Sequence, residues 1–299
     1  MPRRWFSVLW GNPDAPGETS CIVSNDAAVV ALLRRARYEI LPTPSIEDVV
    51  RASVPTEIPI TITASPTRSL EVTVSLAERL AATGYIVIPH LAARMIRGRA
   101  ELAEIVARLE AVGITGIFVP GGDATPGADN YDSAYALLCD LATMPHPFTQ
   151  IGVAGYPESH PSIVDDVLVQ AMWDKRQHAT HIVSNMTFDA DLVNTWLRRV
   201  RRRGVTQPVL IGLPGPVERT KLLSMAKTIG VGESMRFLTK QKGVFARIAA
   251  PGYSPEKFLR RLAHPASDPA MRLDGLHIFT FNQVAETHAW RQDLLDRFA

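Results

Sequence analysis

The chain has 299 residues, with 32 Lys plus Arg against 30 Asp plus Glu, a near balance that excludes a general electrostatic pull toward nucleic acid or anionic membrane and leaves small molecules as the expected partners. Two cysteines, Cys21 and Cys139, exclude a disulfide framework and a cysteine-rich metal site, and they fit a reducing, cytoplasmic compartment. The opening MPRRWFSVLWGNPDAPG has too short an apolar run for a signal peptide, and no later run approaches the roughly 18 apolar residues of a membrane helix, so a soluble protein is expected.

The first strand-like run, at 38–41, lies in RYEILP and carries Glu39 at its centre. A carboxylate inside an apolar run loses hydration on burial, so it must find partners, shift its pKa or face a polar cavity. Arg34, Arg35 and Arg37 are the nearest cations in sequence and the simplest structural partners. Further runs follow at 60–63 (ITIT), 85–90 (YIVIPH), 114–119 (ITGIFV), 150–157 (QIGVAGYP), 181–185 (HIVSN), 208–212 (PVLIG) and 276–281 (LHIFTF). Between most of them lie amphipathic stretches such as SLAERLAATG, AELAEIVARLEAVG and DADLVNTWLRRVRRRG, several closing on the Gly that tends to follow a helix. Strand and helix repeated eight times predict an α/β fold, a parallel sheet closed into a (β/α)8 barrel, with an open doubly wound sheet as the alternative. The segment 231–272 fits none of the strands and predicts extra helices before the last one. No linker interrupts the alternation, and a barrel of this kind takes about 250 residues, so one domain over 1–299 is expected.

Polar residues gather where the strand-like runs end. Thr63, His90, Asp123, Tyr156 with His160, Asn185 and Asn282 end or follow later runs, which places them at the C-terminal mouth where barrel enzymes keep their chemistry. Any one of them could instead cap a helix or satisfy a turn, Asp123 in PGGDATPG being the plainest case. Other motifs carry less. GGDATPG is not a phosphate-binding glycine loop, and HATH at 178–181 has no cysteine or carboxylate cluster to complete a metal site. RRVRRR at 198–203 ends a helix, where cations complement the dipole, and reads as a solvated face.

RYEILP, IPHLAAR, FVPGGD, IGVAGYPESHP, HIVSNMTFD and LHIFTFNQ occur in the order and spacing of the methylenetetrahydrofolate reductase family, which the chain resembles from roughly 37 to 290. GYPESHP and LHIFTFN are the most specific of these blocks. The resemblance implies a barrel enzyme that reduces the methylene bridge of a tetrahydrofolate to a methyl group, with NADH or NADPH as the source of hydride. It makes Glu39 the general acid, with a pKa raised by burial. It makes Asp123 and Asn185 ligands of the pterin, Thr63 and Gln283 further substrate contacts, and His90, Tyr156 and His160 contacts on the cofactor side.

Four positions depart from the family pattern. Gly121 stands where the family has an arginine beside the flavin, and Trp173-Asp174 fall where it has an Arg-Lys pair near the flavin phosphates, although Lys175 and Arg176 follow at once. Gln283 replaces an arginine. Asp174 in place of an ammonium turns an attraction for a diphosphate into a repulsion, which argues against tightly bound FAD and for direct hydride transfer. The alternative is a non-catalytic partner subunit that keeps a folate or nucleotide pocket on the same barrel. No metal is implied, and a homo-oligomer is compatible with the sequence.

Overall fold

The computed structural model describes residues 25–160, 163–216 and 255–298. Eight parallel strands run in sequence order around a ring: β1 (Ala36–Ile40), β2 (Ile60–Ile62), β3 (Val87–Pro89), β4 (Gly116–Val119), β5 (Gln150–Gly155), β6 (His181–Met186), β7 (Val209–Pro214) and β8 (Leu273–Phe279). β1 pairs with both β2 and β8, and each remaining neighbour follows in turn as far as β4. The ring closes between β3 and β4 through one bridge, His90 to Phe118, with the Leu91 amide donating to the Phe118 carbonyl at 2.8 Å. This circular order excludes the doubly wound sheet and makes the fold a (β/α)8 barrel.

Nine α-helices flank the barrel among the described residues: α1 (Asn25–Arg34), α2 (Ile46–Ser53), α3 (Leu70–Ala81), α4 (Gly98–Ala111), α5 (Ala134–Leu141), α6 (Asp165–Lys175), α7 (Ala190–Arg202), α8 (Pro255–Ser267) and α9 (Val284–Phe298). Among these residues no helix is long and apolar enough to cross a membrane. Local chemistry sets several ends. Ser133 accepts from the Ala136 amide at the start of α5, and Asp189 accepts from the Asp191 and Leu192 amides at the start of α7, each satisfying first-turn donors that the helix leaves open. Gly113 and Gly204, just past α4 and α7, take φ of 74° and 80°, which a side chain would resist.

Two features extend the sequence reading. Helix α1 precedes the first strand and packs against α8, α9 and the outer side of β8. Of the segment 231–272, residues 231–254 lie outside the described residues, while Pro255–Ser267 forms a helix before β8 as expected. The arginines at 198–203 do more than face solvent. Arg199 bonds Asp165 and Asp166, Arg203 bonds Asp166, and Arg201 donates to the Val205 and Met271 carbonyls, so this helix end is tied to α6 and to the loop before β8.

The pleat divides each strand between two environments. In β1, Tyr38 and Ile40 are fully buried under the helices, and their register partners Ile60 and Ile62 are equally covered. Arg37 and Glu39 point the other way, into the barrel lumen. Following the pairing around the ring from Glu39 carries the inward face through Thr61 and Ile88, then His90 and Phe118, then Gly152 and His181, and back through Gly212 to His277. Gly152 is part of how this fits, because a Cβ there would lie 2.8 Å from His181 Nε2 and 3.1 Å from Phe118 Cδ2.

Candidate active site

Glu39 is held by histidines. Its Oε2 lies 2.8 Å from His277 Nε2 on β8 and 3.7 Å from His90 Nε2 at the end of β3. The side chains are 14%, 3% and 8% exposed respectively, so the cluster is largely shut off from solvent. The nearby arginines are engaged elsewhere, Arg35 with Asp274 at 2.6 Å and Arg37 with His181 Nε2 at 3.0 Å. Glu39 Oε1 has no protein partner among the described residues and is not sealed from solvent, which leaves that oxygen for a ligand.

Below Glu39 the lumen stays polar. His181 Nδ1 lies 2.9 Å from Thr180 Oγ1, and with Arg37 donating to Nε2 the ring carries its proton on Nδ1. Burial pushes His181 down to about 3, helped by the Arg37 charge and the neighbouring His277. Burial likewise pushes His90 down to about 4 against the opposing pull of Glu39. Both imidazoles are therefore neutral at physiological pH. Arg37 is pushed down to about 10 by burial and still carries its charge there. Aromatic rings wall the cluster, Phe118 at 4.7 Å from the His90 ring and Phe279 at 4.9 Å from the His277 ring.

The rim is fastened by the loop after β8. Thr280 Oγ1 donates to the Glu39 carbonyl at 2.6 Å, and the Asn282 side chain donates to the Leu41 carbonyl and accepts from its amide. Phe281 and Asn282 both take positive φ, 50° and 60°, a backbone cost carried where the loop grips β1. Asn282 is thus a clip on the strand that carries Glu39. Gln283, buried at the start of α9, follows directly.

The other expected site residues follow or end β2, β4, β5 and β6. Asp123 is exposed in the loop after β4, where its charge, after burial, raises the Tyr156 phenol, and Tyr156 meets His160 edge-on at 5.1 Å. Thr63, just past β2, donates its amide to the Ile40 carbonyl and keeps a buried Oγ1 without a partner. Asn185 sits in a register shift of β6, and its Oδ1 is buried with no hydrogen-bond partner. Buried polar atoms without partners are uncommon in folded proteins, and both of these lie at strand ends on the mouth side. Among the described residues no hydrogen bond or ion pair links Glu39 to Asp123 or Asn185. His178 and His181 diverge, His178 facing Cys139 and Tyr135 on the helices outside. A groove of about 430 Å³ between α3 and α4 is lined by helix and loop residues such as Leu70, Glu104 and Arg108, and none of the lumen residues takes part in it.

The sequence reading missed His277, Arg37 and His181 as parts of this cluster. The available signal was the pleat, since Arg37 stands two residues from Glu39 in ARYEI and so shares its face, and His277 is a lone polar residue between Leu276 and Ile278.

The two positions set against flavin lie apart from this lumen chemistry. Gly121 follows β4 with open space where its Cβ would be. Asp174 accepts from Gln170 on α6 and borders a surface hollow shared with Asp166 and Arg203. Arg176 lies over the Trp173 ring at 3.4 Å, and burial pushes Lys175 down to about 8.

Known proteins give the cluster its context. Of solved structures, an uncharacterised Clostridium thermocellum protein described as binding two copies of 5-methyl-5,6,7,8-tetrahydrofolic acid superposes with a TM-score of 0.60 at 13% identity, over 89% of this chain and 98% of that one. An oxaloacetate acetylhydrolase superposes with a TM-score of 0.50 at 12% identity, over 92% of this chain and 86% of the other. These likenesses establish the barrel fold. In sequence, a probable methylenetetrahydrofolate reductase (NADPH) of Caenorhabditis elegans is 25% identical over 123 residues, 38% of this chain and only 18% of the nematode protein. The family model for methylenetetrahydrofolate reductase matches residues 43–233, well over half of the chain, and this chain belongs to that family.

Proposed function

We propose that this chain reduces 5,10-methylenetetrahydrofolate to 5-methyltetrahydrofolate with hydride from NADH or NADPH, Glu39 acting as the general acid. The methylene bridge between two folate nitrogens is a poor hydride acceptor. Protonating one nitrogen opens the ring to an iminium, and a hydride from the dihydronicotinamide C4 then completes the methyl group. One proton and one hydride enter, and the oxidised nicotinamide leaves. The observation that carries this reading is Glu39 itself, a lumen carboxylate with Oε2 tied to His277 and Oε1 open. A structural carboxylate would be consumed by its partners, whereas this one keeps an oxygen in reach of a ligand.

Asp123, Asn185, Thr63 and Gln283 would hold the pterin side, the unpartnered Asn185 Oδ1 and Thr63 Oγ1 being ready acceptors. His90, Tyr156 and His160 would face the cofactor side, and the burial of His90 beside Glu39 supports a place for it under the reacting ring. The strands run from residue 36 to 279, which supports one catalytic domain.

The residues do not suit a tightly held flavin. FAD's diphosphate needs compensating cations or backbone donors, and neither Gly121 nor Asp174 brings a cationic side chain, Asp174 adding a carboxylate instead. Hydride transfer is therefore read as direct, with both substrates bound together and the donor and acceptor carbons about 3 to 3.5 Å apart. The test is NADH or NADPH oxidation by the purified chain with methylenetetrahydrofolate and no added flavin. Intersecting double-reciprocal lines are expected. Parallel lines with a yellow, FAD-dependent protein would overturn the direct route and keep the reductase. No turnover with either nicotinamide would favour the partner-subunit reading.

A further inference from the structure

The Glu39–His277 contact, at 2.8 Å, joins strands β1 and β8 across 238 residues of sequence. Which atom carries the proton follows from the far side of the imidazole. His277 Nδ1 is buried with no hydrogen-bond partner among the described residues. A bare ring nitrogen tolerates that position better than an N–H would, because an orphaned buried donor is the rarer and costlier case. The imidazole proton therefore belongs on Nε2, and His277 donates to Glu39 Oε2. Any proton that Glu39 carries for the substrate must then sit on Oε1, the oxygen without a protein partner.

We infer that His277 is a positioning residue for the acid step, fixing Glu39 so that Oε1 delivers the proton and donating to the carboxylate that remains afterwards. The inference rests on the reductase reading for its chemistry but not for its geometry. When Oε1 gives up its proton to a folate nitrogen, negative charge appears on Glu39, and a donor already in place stabilises it without reorganisation. Uptake of one proton from solvent restores the acid. The groups facing this pair are few. Arg37 shares β1 with Glu39, His90 approaches from β3 and His181 from β6, while β7 offers only Leu210, Gly212 and Pro214. His90 and His181 are held neutral and Arg37 charged across neutral pH, so none of them changes charge there.

Two variants of similar bulk separate this role from packing. His277→Met has no donor, and His277→Gln retains one. In His277→Met the limiting turnover should fall about 10- to 100-fold, and the alkaline limb of the rate profile should move up by about one pH unit, because losing a donor favours the protonated carboxyl. His277→Gln should recover most of the rate and leave the limb near its wild-type position. Carbon NMR of carboxyl-labelled Glu39, assigned by its loss in Glu39→Gln, should show the same upward movement in the Met variant without any turnover. Superimposed titrations of wild type and His277→Met would overturn the inference, as would a Met variant that fails to fold while the Gln variant folds. Absence of folate reduction by the wild type would sink the reductase reading alone, since the titration still decides the part played by His277.

Discussion

Neighbouring residues of β1 live in different worlds. Tyr38 and Ile40 point outward into a layer of helix side chains and are fully buried, and Arg37 and Glu39 point inward to histidines. The outward face is apolar and interchangeable in kind, since Ile60, Ile62 and Ile278 repeat the pattern on β2 and β8. The inward face is specific, with His277, His90 and His181 each placed by a different strand against a partner on β1. A barrel interior is ordinarily filled by branched apolar residues. Here part of that filling is given up to a charged and imidazole-lined column, which a purely structural core would not need. Stability thus resides mainly outside the ring and chemistry inside it.

The sharpest way to break that division is at Glu39. Glu39→Gln keeps shape and hydrogen bonding without a deliverable proton, so methylenetetrahydrofolate reduction should fall by about two to four orders of magnitude while folate affinity holds. Near-normal turnover would return Glu39 to structure. The outward counterpart is Ile60→Ala, which should cost about 2 to 5 kcal/mol in denaturant unfolding and leave the turnover of the folded fraction nearly unchanged. A large loss of turnover at unchanged stability would erase the distinction between the faces.

Acid should find the inward face first. His90 and His181 are folded in with values of about 4 and 3, against about 6.5 for an exposed imidazole. Between those limits the unfolded chain binds protons that the barrel refuses, so stability falls as pH falls, by about 1.4 kcal/mol per pH unit for each residue. Urea midpoints compared at pH 7 and pH 5 should show this, and His181→Gln should lessen the drop. An identical drop in that variant would mean His181 is not held neutral by the lumen. The smallest effect belongs to Gly152→Ala, whose methyl would crowd His181 and Phe118 and cost about 1 to 3 kcal/mol, measurable as a lowered unfolding midpoint. An unchanged midpoint would show that the rings beside Gly152 can give way.

The outer half of this comparison was readable from the sequence, because parallel strands buried under helices spell apolar runs between amphipathic ones. Those runs located all eight strands, with shifts at the ends. β8 begins earlier than its apolar core, at Leu273 after a left-handed Arg272, and stops at Phe279 because Phe281 and Asn282 turn out of the extended region. The inner half was only partly readable. Glu39, His90 and Asn185 stand out as polar residues in or at the end of apolar runs, yet the nearest cations in the chain, Arg34, Arg35 and Arg37, are the partners that sequence proximity suggests for Glu39. Its actual partners lie 51 and 238 positions away and meet it only because the ring closes. Asn282 lies at the mouth as the sequence predicts, and its side chain there fastens the end of β1 to the loop after β8.

Hydride tracing tests the central claim most directly. Purified protein would be given methylenetetrahydrofolate and nicotinamide cofactor deuterated at both C4 positions, with no flavin added. If donor and acceptor meet in the barrel mouth above Glu39, each product methyl group carries one deuterium, because a direct transfer exposes the hydride to no exchangeable site. Formation of the methyl product with the label lost to water would contradict direct transfer, and failure to form it at all would contradict the assignment of this lumen to folate reduction.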